Sequence, residues 1–158
     1  MADLNGKKIA IIATDGFEDS ELTSPKEAVE AAGATTAVIA PASGEIEGKK
    51  GATVKVDLTT AEANAADYDA LILPGGTLNA DAIRVDAPAV ELVKAFKAAG
   101  APIGVICHGG WILTDADLLK GVTLTSVANV KTDLVNAGAN WVDEEVVVDS
   151  GFISSRTP

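Results

Sequence analysis

The sequence predicts a three-layer α/β domain built on a mostly parallel sheet. Apolar runs of strand length alternate along the chain with amphipathic stretches of helix length, the order that βαβ units produce. Two of the runs, Ile9–Ala13 and Ala70–Leu73, are continuously apolar, as in strands covered on both faces. A length of 158 residues, with 47% hydrophobic and 22% charged, suits one well-packed core and not comfortably two. Residues 1–158 therefore read as a single domain, with no repeat or linker.

The elements follow in order. Lys7 and Lys8 lead into the first strand, Ile9–Ala13. A helix is expected over Pro25–Ala32, with Ser24 as N-cap, Pro25 in the first turn and Gly33 as the stop. Thr36–Ala40 is a second strand. Glu45–Leu58, rich in Gly and Lys and then alternating, reads as a hairpin-like excursion with one solvated face. Ala70–Leu73 is closed by Pro74-Gly75-Gly76. Ala87–Ala99 is a helix, Ile103–Ile106 a strand, and Gly109–Leu119 a helix. Val122–Ser126 reads as a short strand and Lys131–Asn136 as a helix. Val142–Val148 and Phe152–Ser154 read as a final strand pair around Asp149-Ser150-Gly151.

Charge narrows the functional classes. Twelve Lys and Arg against 23 Asp and Glu give a net charge of -11. Such a chain repels nucleic acid phosphates and anionic membrane surfaces, so neither is an expected partner. The N-terminal apolar run is too short for a signal sequence, and no stretch has membrane-spanning length. A cytoplasmic setting is expected. One Cys excludes an internal disulfide and a multi-thiolate zinc site, and one His excludes a His₂ metal centre. No metal site is expected; Asp143-Glu144-Glu145 reads as a solvated strand end. The turn after the first strand, Ala13 to Asp19, has one Gly and three acids and would repel a dinucleotide pyrophosphate. Gly48-Lys49-Lys50 is a turn and not a phosphate-binding loop.

The one Cys and the one His are adjacent, Cys107-His108. An apolar strand ends in Cys107, and Gly109, Gly110 and a helix follow, the strand-turn-helix setting of a nucleophile elbow. A helix N-terminus there favours thiolate over thiol, and Gly109 lets substrate approach the pocket. The alternative is a structural Cys buried at a strand end. Pro74-Gly75-Gly76 ends another strand of the same sheet. The N–H groups of Gly75 or Gly76, with that of His108, are candidates for an oxyanion hole. A third strand end carries Glu18. Trp111, one turn past the elbow, lines the pocket or packs in the core; Trp141 reads as core or interface.

Four ordered segments carry a resemblance: Gly16-Phe17-Glu18-Asp19-Ser20-Glu21-Leu22, Leu73-Pro74-Gly75-Gly76, Ile106-Cys107-His108-Gly109 and Asn136 to Asp143. With Ser154 to Pro158 also in pattern, the chain resembles the ThiJ/PfpI superfamily, in its PfpI-like branch, over nearly its whole length. The resemblance implies a flavodoxin-like α/β/α sandwich, a homodimer or hexamer, and a reactive Cys107. It implies that Glu18 is largely protonated and donates a hydrogen bond to the thiol. It also implies an acid from a neighbouring subunit that orients His108, with Asp81 as the matching position. Two departures stand out. Gly110 fills a place where the family usually has Pro, which loosens the elbow helix. The family's C-terminal helix has no counterpart before Pro158, so a shortened chain or a partly uncovered sheet face is expected.

Three functions follow as expectations. The first is a cofactor-independent thiol enzyme acting on small reactive carbonyls, as in glyoxalase or deglycase chemistry of stress protection, with Cys107 as nucleophile and His108 or Glu18 moving protons. The second is a cysteine peptidase acting on peptides through Cys107, His108 and a second copy's Asp81. The third is a non-enzymatic oxidative sensor using Cys107.

Overall fold

The computed structural model describes residues 3–158. Its strands and helices are β1 (Lys8–Ile12), α1 (Asp19–Ala31), β2 (Thr35–Ala40), β3 (Glu45–Glu47), β4 (Thr53–Lys55), β5 (Leu58–Thr59), β6 (Ala70–Leu73), α2 (Thr77–Ile83), α3 (Ala87–Ala98), β7 (Ile103–Ile106), α4 (Trp111–Asp115), β8 (Thr123–Leu124), α5 (Lys131–Asn136), β9 (Asn140–Trp141), β10 (Val146–Asp149) and β11 (Phe152–Ser155). Seven strands form the main sheet in the order β10-β11-β7-β6-β1-β2-β5. All neighbours are parallel except β10 with β11. The chain runs outward from β1 through β2, then returns to place β6 on the other side of β1. The C-terminal ends of β1 and β6 therefore flank a topological switch point, where ligands bind in open α/β sheets.

Side chains alternate across the sheet and build two cores. Leu71, Leu73, Ile103, Val105 and Phe152 pack under α3 and α4 with Phe96, Val93, Ile112 and Leu113. On the other face Ile11, Val38, Phe17 and Leu22 pack under α1, with Ile46 and Val56 from the β3–β4 excursion. The layers are thus helix, sheet, helix, as the composition pattern predicts. The second face is covered only in part. Ile72, Gly104, Ile106 and Ile153 line an apolar groove of about 180 Å³ beside Pro25, and Val148 on the edge strand is 72% exposed.

Several elements differ from expectation. Helix α1 begins six residues earlier than Pro25, which lies inside it, and Ser24 is not its cap. Glu18 is the extended residue before the helix, and Asp19 and Glu21 in the first turn suit its positive end. Burial of Phe17, Glu21 and Leu22 draws this turn onto the sheet, despite the backbone hydrogen bond that Pro25 cannot make. The elbow helix is shorter than Gly109–Leu119: a 3₁₀ turn spans Cys107–Gly110, and α4 stops where Asp117 turns left-handed at φ 55°. Helix α2 falls where the sequence shows only a loop after two glycines. Val122–Ser126 contracts to β8, which pairs with β9 in a separate ribbon. The last pair starts at Val146 because the acidic segment Asp143-Glu144-Glu145 stays in a loop. No described helix is long and apolar enough to cross a membrane.

Candidate active site

Cys107 sits at the end of β7 with φ 58°, one of three non-glycine residues in the left-handed region among the described residues. A side chain there costs about 1 kcal/mol or more and persists where surrounding structure fixes it. Gly109 permits the turn, since a Cβ would lie 2.5 Å from the carbonyl oxygen of Leu73. The tight turn projects Cys107 and His108 to the same side. The His108 Nδ1 lies 3.4 Å from the Cys107 Sγ, and its Nε2 lies 3.4 Å from the Thr77 hydroxyl. The imidazole is therefore against its neighbour's sulfur. Trp111 meets the ring edge-on at 5.5 Å. Its indole N–H donates to Asp133 at 2.8 Å, and the Arg84 guanidinium stacks on it. Trp111 thus packs between His108, Arg84 and Asp133. Trp141 is half-buried, donating to the Ser126 hydroxyl at 2.9 Å.

The acid at the thiol is Glu21, and the expectation placed on Glu18 is corrected. Glu18 and Glu21 are three residues apart at the start of α1. Glu18 turns toward the β3–β4 hairpin, where its carboxylate pairs with Lys49 at 2.6 Å and Lys50 at 3.1 Å. These ammonium groups, Lys49 first, hold the Glu18 carboxyl below its ordinary range, so it is no proton donor at neutral pH. Glu21 is 2% exposed. Its Oε1 accepts the Gly75 N–H at 2.9 Å, its Oε2 is buried without a hydrogen-bond partner, and it meets Cys107 at Gly75, where a Cβ would lie 2.3 Å from Glu21 Oε1 and 3.0 Å from the Cys107 Cβ. Burial pushes Glu21 up to about 7. The signal for Glu21 was in the motif: it lies next to Leu22 on the face of α1 that enters the core.

Burial, and then the charge of Glu21, push the Cys107 thiol up to about 11. The expectation of a thiolate favoured by the elbow helix is corrected: α4 has five residues, and its dipole is outweighed by desolvation. Cys107 and Glu21 titrate as a pair that holds two protons below about pH 7 and one above it. Burial lowers the His108 pKa, with Lys49 adding to the effect, so the imidazole is neutral.

The donors near the pocket divide. The Gly75 N–H is committed to Glu21, which removes it from the expected oxyanion hole; the N–H groups of Gly76 and His108 remain. Gly76 has φ 90°, and a Cβ there would collide with the backbone of Gly16, Phe17 and Glu18. Asn79 was missed in the sequence. It is 1% exposed; its amide nitrogen donates to the carbonyls of Pro74 and Gly75, and its oxygen accepts the Thr14 N–H at 2.7 Å. It thereby ties the Pro74-Gly75-Gly76 turn to the end of β1. Asp81 lies exposed on α2 and makes no hydrogen bond to His108 within the chain. At Gly110 a Cβ would meet Leu134 at ordinary contact distance, 3.7 Å, so no steric demand for glycine exists there.

The model of the DJ-1/PfpI family matches residues 7–158. An uncharacterized Staphylococcus saprophyticus protein is 51% identical over 155 residues, covering 96% of this chain and 90% of its own. A Bacillus subtilis protein named "Putative cysteine protease YraA" is 46% identical over 153 residues with the same coverage. Among solved structures, a two-domain Anabaena variabilis protein with DJ-1/ThiJ/PfpI-like and ferritin-like domains superposes with a TM-score of 0.92 at 34% identity; the match covers 95% of this chain and 43% of that one. On its sequence, fold and elbow, this chain belongs to the DJ-1/PfpI family.

Proposed function

We propose that the protein is a cysteine-dependent enzyme that converts small reactive carbonyls without a cofactor, in the manner of a glyoxalase or deglycase. The observation that carries the reading is the strained Cys107 with His108 against its sulfur and the buried Glu21 beside it at Gly75. A thiol pushed up to about 11 needs a base, and an ionised Glu21 beside it is one. As Sγ bonds to the aldehyde carbon, the thiol proton passes to Glu21. The carbonyl π electrons move to oxygen, which faces the N–H groups of Gly76 and His108 and takes up a proton, giving a hemithioacetal. With a 2-oxoaldehyde, neutral His108 removes the proton from the sulfur-bearing carbon. The adjacent carbonyl carbon receives one, and a thioester of the 2-hydroxy acid results. Water cleaves the S–C bond, and the proton returns to sulfur. One carbon is oxidised as its neighbour is reduced, so the sum is aldehyde plus water to hydroxy acid. Removal of carbonyl adducts from early glycation products uses the same addition step.

The test is conversion of methylglyoxal to lactate followed by NMR. The wild-type protein is expected to form lactate and Cys107→Ala to form none; equal rates in the two would overturn the proposal. A peptidase is the second reading, favoured by the position of His108 against the sulfur and by the name of the Bacillus relative. It requires a second copy to supply Asp81, and Leu78 on α2 and Val85 just beyond its end are 71% and 76% exposed. Peptide turnover that disappears in Asp81→Ala and in the dissociated chain would support it.

A further inference from the structure

The reaction above needs one nitrogen of His108 to be bare, and the surroundings of the ring decide which. Nδ1 lies 3.4 Å from the Cys107 Sγ, on the side where a carbon bonded to sulfur sits. Nε2 lies 3.4 Å from the Thr77 hydroxyl, and Trp111 meets the ring edge-on. Three groups on three elements thus hold one imidazole. Thr77 is the first residue of α2, and the turn before it fixes its place. Gly76 has no room for a Cβ. Asn79, two residues beyond Thr77, binds the carbonyls of Pro74 and Gly75 and the Thr14 N–H. Trp111 is held in turn by Asp133 and by Arg84, which reaches Thr114 and Asp115 on α4. Among the described residues no carboxylate bonds the ring.

We propose that Thr77 is a positioning residue that sets the tautomer of His108: its hydroxyl oxygen accepts the Nε2–H and leaves Nδ1 bare toward the sulfur. The inference rests on the reading of His108 as a base and names the group that prepares it. A neutral imidazole carries one N–H, and the hydrogen bond at one nitrogen decides the state of the other. A hydroxyl oxygen is a good acceptor, and the sulfur of a neutral thiol is a weak one. Cys107, pushed up to about 11, is a thiol at neutral pH, so the ring hydrogen belongs on Nε2. Thr77 is exposed, and its own O–H bonds water. A hydroxyl also leaves the charge of the ring unaltered. A carboxylate at Nε2 would favour the imidazolium, whereas burial here keeps the ring neutral and basic. The titratable and charged groups around the ring are Cys107 on its own turn, Glu21 of α1, and Arg84, Asp115 and Asp133 behind Trp111. Lys49 of the hairpin adds its charge while Glu18 holds its ammonium. Orientation of His108 is therefore complete within one chain and needs no second copy's Asp81.

The chain has one His, so nitrogen-15 labelling of histidine gives a single ring to read. Long-range proton–nitrogen NMR above the pKa of the ring distinguishes a protonated nitrogen from a bare one. The wild-type protein is expected to show Nε2 protonated and Nδ1 bare. Thr77→Val should give a mixture of the two tautomers, and Thr77→Ser should restore the wild-type pattern. In methylglyoxal turnover, kcat should fall about tenfold or more in Thr77→Val with KM within about twofold, and Thr77→Ser should recover most of it. Alkylation of Cys107 by iodoacetamide, which removes no proton from carbon, should stay within about twofold in both variants. The ring should titrate with a midpoint below the ordinary ~6.5. A wild-type ring protonated on Nδ1, or tautomers unchanged in Thr77→Val, would overturn the proposal. So would a midpoint above ~6.5 that falls in Asp81→Ala, which would give the place to a second copy's carboxylate. Absence of lactate with the tautomer and its dependence on Thr77 intact would instead count against the proposed activity alone.

Discussion

Glu21 shows how one buried carboxyl can serve catalysis at the expense of stability. Its pKa rises from 4.5 to about 7 in the folded chain, so the native state binds the proton more tightly than the unfolded chain does. That contribution is complete below about pH 4.5 and is lost as pH rises through 7, amounting to roughly 3 kcal/mol at about 1.4 kcal/mol per unit. Glu21→Gln keeps the acceptor for Gly75 and removes the charge. The variant is expected to be more stable than wild type at pH 8 by about 1–3 kcal/mol and nearly equal at pH 5, in urea titrations at both pH values. Its carbonyl turnover should fall about 100-fold or more. Glu18→Gln, which removes a carboxylate paired only with Lys49 and Lys50, should retain turnover within about tenfold. The motif contained both acids, and only the inward face of α1, set by Leu22 and Phe17, tells them apart. That face was hidden because Pro25 suggested a helix starting six residues too late.

At the scale of elements, the hairpin and the elbow carry separate predictions. Asp19→Ala removes charge-assisted bonds to two hairpin amides. Hydrogen exchange at Lys50 and Ala52 should accelerate in that variant while the β6 amides stay protected. Gly110 has helical φ -71° and room for a methyl group. Gly110→Ala should therefore raise stability by about 0.4–1 kcal/mol, read as a higher Tm. Gly76→Ala, with φ 90° and a collision against β1–α1 backbone, should lower it by several times that amount. The strands β6 and β7 and helix α5 were legible to the residue, because apolar runs and turn residues bounded them. Helix α2 was not, since its buried Asn79 reads as a loop residue until its three hydrogen bonds are seen.

Across the whole molecule, the sheet's alternation separates neighbours by their energetic weight. Phe152 is fully buried under α3, and Ile153 is 39% exposed on the groove side. Phe152→Ala should cost about 3–5 kcal/mol and Ile153→Ser about 0.5–1 kcal/mol, both by chemical denaturation. Fold class was readable from pattern and spacing; the strand order came from the structure. The site was readable as a place and not as a geometry. Sequence spacing brings Cys107, Gly75 and the start of α1 to one sheet edge. Burial and turn conformation then decide that Gly75 serves Glu21, that His108 meets its neighbour, and that the thiol is harder to ionise.

The central claim is that Glu21 takes the proton of Cys107. The pH dependence of Cys107 alkylation by iodoacetamide tests it most directly. The wild-type rate should rise through about pH 7 as Glu21 ionises, level off, and rise again toward pH 11, and Glu21→Gln should lose the first step. A single step near the ~8.5 of a free cysteine, identical in both proteins, would contradict it.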